Sequence, residues 1–387
     1  MRFILLLGLV SLSGDIAYEG ARAVAGPYLA ILGASAISVG LAAGLGEFAA
    51  YALRLGSGYM ADRTGRYWAF AIAGYGMILS IPLLALAGSW QLAVALLILE
   101  RLGKALRSPA RDTILSYAAR SVGRGWGFGI HEALDQVGAI LGPLLMFAAL
   151  SLGIGYRGGF AMLLAPAASA LAILLAARAE VPSPSALEAG VAGSHPAGGL
   201  PKAFWLYALF TSLSAGGLLS FQLISYHLKV RSMVPESQIP ILYAIAMGID
   251  ALVALAAGRA YDRVGLASLI AVPLLTIPIA PLALSHGLGP LLAAAIWGAA
   301  MGLHETTMRA AIADLTPAER RGSAYGIFNS AYGLSLLFGG AIMGWLYELS
   351  PAALAPFAIF MEAASMPALL LAKRAALGAS RRPGQRY

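Results

Sequence analysis

Apolar runs of about twenty residues, separated by short charged or Gly/Pro-containing turns, constrain this chain more than any other feature. A helix of that length spans the ~30 Å hydrocarbon core of a bilayer. In order, the runs cover residues 3–32, 37–60, 66–88, 90–117, 124–150, 158–178, 203–229, 238–258, 267–286, 288–313, 322–349 and 351–373. The pattern predicts an all-α membrane protein of twelve transmembrane helices. The first run carries Asp15 and Glu19 and opens a pattern that recurs later, so it reads as a membrane helix and not as a cleaved signal. Composition supports the bilayer as solvent. Hydrophobic residues make up 59% of the chain and charged residues 11%, where soluble domains carry roughly 25% charged residues.

The same numbers exclude several functions. The sequence has no cysteine, which removes disulfides, thiol catalysis and thiolate metal sites. The net charge is +8, but the basic residues cluster at helix ends, with no aromatic–basic stripe or soluble domain to hold a nucleic acid. No H-E-x-x-H, G-x-S-x-G or P-loop pattern is present, which argues against an enzyme and against direct drive by ATP. No cofactor is expected. The chain is expected to work as a monomer in the cell (plasma or inner) membrane.

Between the second and third runs lies Gly58-Tyr59-Met60-Ala61-Asp62-Arg63-Thr64-Gly65-Arg66. Glycines at its ends allow close backbone approach and positive φ, Asp62 is placed to cap the following helix, and Arg63 and Arg66 stay in water. The chain repeats the pattern as Gly258-Arg259-Ala260-Tyr261-Asp262-Arg263-Val264-Gly265. Gly58, Asp62, Arg63 and Gly65 therefore recur at the same spacing as Gly258, Asp262, Arg263 and Gly265. Ser11-Leu12-Ser13 is answered by Ser212-Leu213-Ser214, and Arg124-Gly-Trp-Gly-Phe-Gly by Arg321-Gly-Ser-Ala-Tyr-Gly. Two copies of one long unit are more informative than either hairpin alone.

The duplicated hairpin resembles the G-x-x-x-D-R-x-G-R/K loop of the major facilitator superfamily of secondary transporters. That resemblance covers essentially the whole chain. It implies two pseudo-symmetric six-helix bundles working by alternating access, with a small-molecule substrate bound near the midplane. The expected parts are an N-terminal bundle over 1–178, a linker over 179–201, a C-terminal bundle over 202–373 and a basic tail over 374–387. The linker reading follows from its Gly, Ala and Pro content. Lys and Arg are concentrated on the side of both termini, with only Arg157, Lys229 and Arg231 assigned to the other side. Both termini and both hairpins are then cytoplasmic. The resemblance also implies a cytoplasmic latch, in which Asp62 meets the start of helix eleven near Gly322 and Arg66 bridges to Asp112 at the foot of helix four. The alternative is that Asp112 simply pairs with Arg111.

Ionisable residues inside hydrocarbon mark the place to look for function. The first half carries Asp15, Glu19, Arg22, Glu47, Arg54, Glu100, Arg101, Lys104, His131, Glu132 and Asp135, and the second half Asp250, His304, Glu305 and Arg309. Where the halves align, Asp15 and Glu19 answer Gly216 and Ser220, so the repeat does not need those carboxylates to fold. Asp15 and Glu19 share one helix face, with Asp15 near the midplane. They are proton-carrier candidates, and the structural alternative pairs Glu19 with Arg22. Helix four bears Arg101, Lys104, Arg107 and Arg111 along one face, which cannot meet lipid, with Pro109 expected to distort its lower end. Its Arg101 is the best match to the superfamily's proton-linked arginine. By depth, Lys104 and Arg107 are expected near His131 and Asp135 on helix five. Ion pairing is the plain reading; binding of an anionic substrate group by Arg101 or Lys104 is the sharper one. Asp250 and Glu305 are further candidates, and Tyr207, Tyr243, Trp297 and Tyr332 are among the aromatics available to line an apolar surface.

Helix five also holds Gly138-x-x-x-Gly142-Pro143, a half-match to the G-x-x-x-G-P-x-x-G-G motif of proton-coupled exporters, whose last two glycines are here Met146 and Phe147. The expected function is a proton-coupled exporter, resembling drug/H+ antiporters, for amphipathic or cationic compounds. The basic face of helix four supports a proton-coupled organic-anion transporter instead. A divalent-metal exporter using Asp15, Glu19, His131 and Asp135 is a third reading, although their spacing fixes no metal geometry.

Overall fold

Backbone polar groups inside hydrocarbon must be paired within the protein, and a helix does this within one segment. The computed structural model describes residues 2–119, 124–182, 199–316 and 320–380, and among these it contains helices and no strand. The linker residues 183–198, the tail from residue 381, the side chains of Arg309 and Arg321 and the surroundings of Gly322, where the latch was expected, lie outside the described residues. The helices are α1 (Arg2–Ile31), α2 (Ala36–Thr64), α3 (Tyr67–Gly76), α4 (Ser80–Leu83), α5 (Trp90–Ala119), α6 (Arg124–Ser151), α7 (Gly155–Met162) and α8 (Leu164–Glu180). They continue as α9 (Lys202–Gly217), α10 (Phe221–Val230), α11 (Ile239–Val264), α12 (Ala271–Thr276), α13 (Ile279–Ala283), α14 (Gly289–Leu315), α15 (Arg321–Leu349) and α16 (Leu354–Ser380).

These elements fall into successive rods that match the expected runs, with α3–α4, α7–α8, α9–α10 and α12–α13 as broken rods. Nine stretches among the described residues are long and apolar enough to cross a membrane, and one of them, Glu236–Ala283, is 48 residues long. That is over twice the ~20 residues of a single crossing. The stretch contains α11, the hairpin at Gly265 and the α12–α13 rod. Rod α5 fails the same test of apolarity because of its internal charges.

The described residues form two compact units. The first is built mainly from the first half of the chain and takes in Gln222–Met247; the second is built mainly from the second half and takes in Ala36–Gly44. In the first unit α1 packs most extensively on α6 and α8, and α3 on α5. In the second, α9 packs most extensively on α16 and α15.

Each break in a rod leaves carbonyls that need donors. At the end of the third rod the Leu84 carbonyl accepts from the Ala87 N–H at 3.1 Å and from the Tyr28 hydroxyl at 2.7 Å. The seventh run, expected to be continuous over 203–229, breaks between Gly217 and Phe221, and the Trp297 indole N–H donates to the Leu219 carbonyl at 2.9 Å. Pro109 leaves a gap of another kind, within a continuous rod. It lies inside an unbroken α5, and the carbonyl it deprives of a donor, that of Ala105, accepts from the Ser57 hydroxyl of α2 at 2.6 Å. The sequence expectation missed this repair because the donor comes from another helix.

The repair makes a testable cycle. Ser57→Ala should destabilise the protein by roughly 1 kcal/mol, because it leaves a buried carbonyl unpaired. Pro109→Ala restores the helix's own N–H, so Ser57→Ala in that background should cost much less. Graded-SDS unfolding of the four proteins measures the coupling; equal costs in both backgrounds would show that Ser57 acts elsewhere.

Candidate functional site

The first unit gathers its buried charge around Tyr18. From α1, Arg22 donates to the Tyr18 hydroxyl at 2.8 Å, and from α5 Arg101 donates to the same oxygen. The Arg101 guanidinium also lies over the Tyr18 ring, 3.5 Å from its centroid, with the Lys104 ammonium at 4.4 Å. One ring thus receives three cations through its negative face and its hydroxyl oxygen. Gly46 of α2 leaves room for this arrangement, since a Cβ there would stand 2.9 Å from Arg101 Cγ.

Carboxylates then divide the arginines among themselves. Glu47 of α2 meets Arg22 at 2.9 Å and Arg101 at 3.7 Å. Glu100, 1% exposed, gives one oxygen to Arg101 at 2.6 Å and the other to Arg107 at 2.8 Å. Glu19 accepts from the Tyr243 hydroxyl of α11 at 2.6 Å and lies 3.9 Å from Arg22. The sequence alternative of a Glu19–Arg22 pair is therefore a minor contact, because Glu47 holds Arg22 more closely.

A second cluster lies further along α5. Arg111 binds Asp112 at 2.9 Å, the Ser11 hydroxyl at 2.8 Å and Asp135 at 3.7 Å. His131 Nδ1 is 3.5 Å from the same Asp135 oxygen. The expected neighbours of His131 and Asp135 were Lys104 and Arg107. The observed partner is Arg111, one turn further on, and Arg107 is instead bound by Glu100 on its own helix. Glu132 is exposed.

Asp15 and Lys104 remain. Among the described residues, neither has an oppositely charged atom within the 4.0 Å of an ion pair. Asp15 nevertheless feels Lys104 and Arg107 as well as the carboxylates of Asp135 and Glu19. Its position is fixed by the helix-five glycines. A Cβ at Gly138 would lie 2.5 Å from the Leu12 carbonyl and 3.1 Å from Asp15 Cβ, and one at Gly142 would lie 2.7 Å from the Gly20 nitrogen. The Gly138–Gly142 pair therefore seats α6 directly against the α1 turn that carries Asp15.

Comparison with known proteins agrees with this architecture. The family model described as Major Facilitator Superfamily matches residues 7–340, and again 236–383. The chain belongs to the major facilitator superfamily. An uncharacterized protein of Mycobacterium tuberculosis is 43% identical over 369 residues, covering 93% of this chain and 90% of its own length. An uncharacterized MFS-type transporter of Methanocaldococcus jannaschii is 29% identical over 362 residues, covering 89% of this chain and 88% of its own. Among solved structures, a mutant of the nucleoside transporter NupG superposes with a TM-score of 0.75 at 14% identity, over 96% of this chain and 99% of that one. A bacterial homologue of the human lysosomal transporter Spinster, inward-facing and unoccupied, gives 0.68 at 18% identity, over 98% and 96%. These structural likenesses are likenesses of fold.

As a facilitator the chain is a multi-pass membrane transporter and not an enzyme. Its two hairpins take the expected turn: Gly65 has φ +65° and Gly265 φ +59°. Gly58 and Gly258 face Pro109 and Thr306, with a built Cβ at 3.4 and 3.5 Å. Asp62 lies in the last turn of α2 and accepts from the Tyr67 hydroxyl at 3.1 Å, so it does not cap α3, whose N-cap is Arg66. Arg63, Arg66, Asp262 and Arg263 are exposed. Among the described residues Arg66 and Asp112 form no ion pair, and Arg111 occupies Asp112 instead.

In the second unit Asp250 is buried beside Gly302, whose built Cβ would stand 2.7 Å from the Asp250 carboxylate, while Glu305 is exposed. His304 is 1% exposed, and neither ring nitrogen has a hydrogen-bond partner among the described residues. The four proposed metal ligands of the first half do not assemble: among the described residues no three His, Cys, Asp or Glu side chains could hold a metal ion. Sequence reasoning passed over Tyr18 and the fully buried Glu362 of α16. Tyr18 was legible by spacing, since it is one turn from both Asp15 and Arg22. Tyr243, an aromatic candidate for an apolar surface by sequence, also donates its hydroxyl to Glu19.

The pairing pattern separates structural from available charge. Glu100→Gln should destabilise the protein by about 3–5 kcal/mol, because it strands two buried arginines. Lys104→Gln should cost under ~1 kcal/mol, in the range of an interaction without a close partner. Graded-SDS unfolding of both variants tests this; equal losses would make Lys104 as structural as Glu100.

Proposed function

We propose that this facilitator is a proton-coupled secondary transporter in which Asp15 carries the proton. The supporting observation is that the other carboxylates of the Tyr18 cluster are matched by arginine or tyrosine, while Asp15, half-buried, has no such match among the described residues. A carboxylate already held by two guanidiniums is a poor carrier, since releasing it would break a buried network. Asp15 can gain and lose a proton with the field of Lys104 and Arg107 balancing it, and without dismantling the Glu100 bridge. Arg101 then acts as a fixed positive strut on Tyr18, and the Asp135–His131–Arg111 cluster as the lower anchor of α5 and α6.

The substrate reading that follows from an available carboxylate is an amphipathic or cationic compound, exchanged outward against protons. The solute would neutralise Asp15 in place of a proton, which is the competition an antiporter requires. Lys104 supports the second reading, a proton-coupled organic-anion transporter. Its ammonium has no close carboxylate and rests on the Tyr18 ring, so an anionic solute would give it a counter-charge. The hairpins are assigned to the cytoplasmic side by the distribution of Lys and Arg, and the Arg66–Asp112 bridge is assigned to another conformation of the cycle.

A proteoliposome assay with an internal pH dye tests these assignments by adding organic cations and organic anions in turn. Proton flux should appear with one class and fall at least about tenfold in Asp15→Asn, equivalent to ~1.4 kcal/mol. Proton-driven flux that survives Asp15→Asn intact would remove Asp15 as the carrier. Asp62→Asn should slow turnover and leave substrate affinity within one decade; unchanged turnover would count against the latch.

A further inference from the structure

The second unit contains a buried carboxyl that the Tyr18 cluster does not explain. Glu362 of α16 is 0% exposed, at the meeting of α9, α12 and α16. The Ser214 hydroxyl of α9 donates to its Oε1 at 2.9 Å. Its Oε2 has no hydrogen-bond partner among the described residues, and neither has the hydroxyl of Thr276, itself 1% exposed. The hydroxyls of Thr276 and Ser365 lie beside the same carboxyl, and among the described residues no Lys, Arg or His acts on it. Ser365 donates to the Glu362 backbone carbonyl at 2.8 Å, which leaves its oxygen lone pairs free.

An ionised carboxylate in such a place is expensive unless a positive charge balances it. Protein cations perform that service in the first unit, and among the described residues none does so here. What surrounds Glu362 is oxygen. One carboxylate and several hydroxyls make a hard donor set, suited to a small cation bound through oxygen. The charge count selects the valence: a single carboxylate is neutralised by a monovalent ion, whereas a divalent ion would leave a net charge buried.

The backbone adds a second, independent feature. Helix α9 ends at Gly217, one turn past Ser214, and the rod is interrupted before α10. The C-terminal end of a helix presents carbonyl oxygens and partial negative charge, which favours a cation. Gly217 is next to the carboxyl, since a Cβ there would lie 3.7 Å from Glu362 Oε1. It would also lie 2.8 Å from Met361 Cβ, so only glycine lets α16 come this close to the end of α9.

We propose that Glu362, Ser214 and Thr276 form a monovalent-cation site, for sodium or a proton, at the break in the seventh rod. The site does not depend on Asp15 or on the transport reading above, because binding can be measured without any transported solute. A coupling ion held here would lie on a different unit from the Tyr18 cluster.

The test uses the full-length purified protein in lipid nanodiscs. Equilibrium binding of radioactive sodium is measured at alkaline pH in a choline background, alongside infrared difference spectra against Glu362→Gln. If the ion is sodium, a single ion binds per chain, is displaced at acid pH and is lost in Glu362→Gln, while Ser214→Ala weakens it roughly tenfold or more. If the ion is a proton, no sodium binds and the wild-type spectrum carries a protonated-carboxyl band that Glu362→Gln removes. Asp15→Asn leaves either result unchanged. Sodium binding that persists in Glu362→Gln overturns the proposal. So does a wild-type spectrum in which Glu362 is ionised without bound sodium. Should Glu362→Gln fail to fold, Ser214→Ala carries the sodium arm, and Thr276→Val, by shifting the carboxyl band, carries the proton arm.

Discussion

The bridge from Glu100 to Arg101 and Arg107 is the interaction on which the first unit depends. Helix α5 carries more internal charge than a lone membrane helix tolerates, at roughly 2.5–3.5 kcal/mol for each central charge on insertion scales. Glu100 makes the ladder tolerable by occupying two guanidiniums with two oxygens, both at hydrogen-bond distance. With Arg107 held on its own helix, Arg111 is left for Asp135 and Asp112, and Arg101 can turn its face to Tyr18. The partners of the three arginines on α5 follow from that assignment. It also keeps Arg107 from pairing with Asp15, which among the described residues is left facing the uncommitted Lys104 beyond ion-pair distance.

Packing enforces this electrostatic arrangement. The Gly138–Gly142 pair brings α6 onto α1, and Gly46 opens the space that Arg101 fills. Without side chains at those positions the helices approach until polar groups meet at short range, where water would otherwise screen them. The resemblance of Gly138-x-x-x-Gly142-Pro143 to an exporter motif and its role in seating Asp15 are compatible, since a helix that positions the proton carrier must sit close to it. The motif's missing glycines, Met146 and Phe147, come after the part that touches α1 at Leu12, Asp15 and Gly20.

Periodicity made the rods legible, and the duplicated hairpin made the family legible, down to positive φ at Gly65 and Gly265. Partner choice was less accessible. Depth alone placed Arg107 beside His131 and Asp135, but a long side chain can reach two turns along its own helix, and Glu100 competes from there. Asp62 looked like a cap because it precedes a turn, whereas α2 runs through it to Thr64. Ser57 and Trp297 repair broken backbone from other helices, and no local pattern announces such a donor. Glu362 was overlooked for a simpler reason: a single acid in an apolar run, without charged neighbours in sequence, gives no spacing to read.

The two halves share backbone devices and differ in how they place polarity at equivalent depth. In the first, α1 is continuous through Asp15 and Glu19, so its polar groups are side chains and need charged partners. In the second, the aligned Gly216 and Ser220 border a broken rod, whose polar groups are backbone carbonyls. Trp297 satisfies one of them at Leu219 with a neutral donor. A helix break therefore brings negative potential into the second unit without ionised residues, and the small residues around it allow α16 to approach. That approach puts Glu362 against the end of α9, where an added protein cation would have to fit between helices already in contact through Gly217 and Met361. The absence of an arginine ladder in this half is thus consistent with its packing: its negative groups are arranged for an ion that arrives from solution, and those of the first half mainly for cations built into the chain.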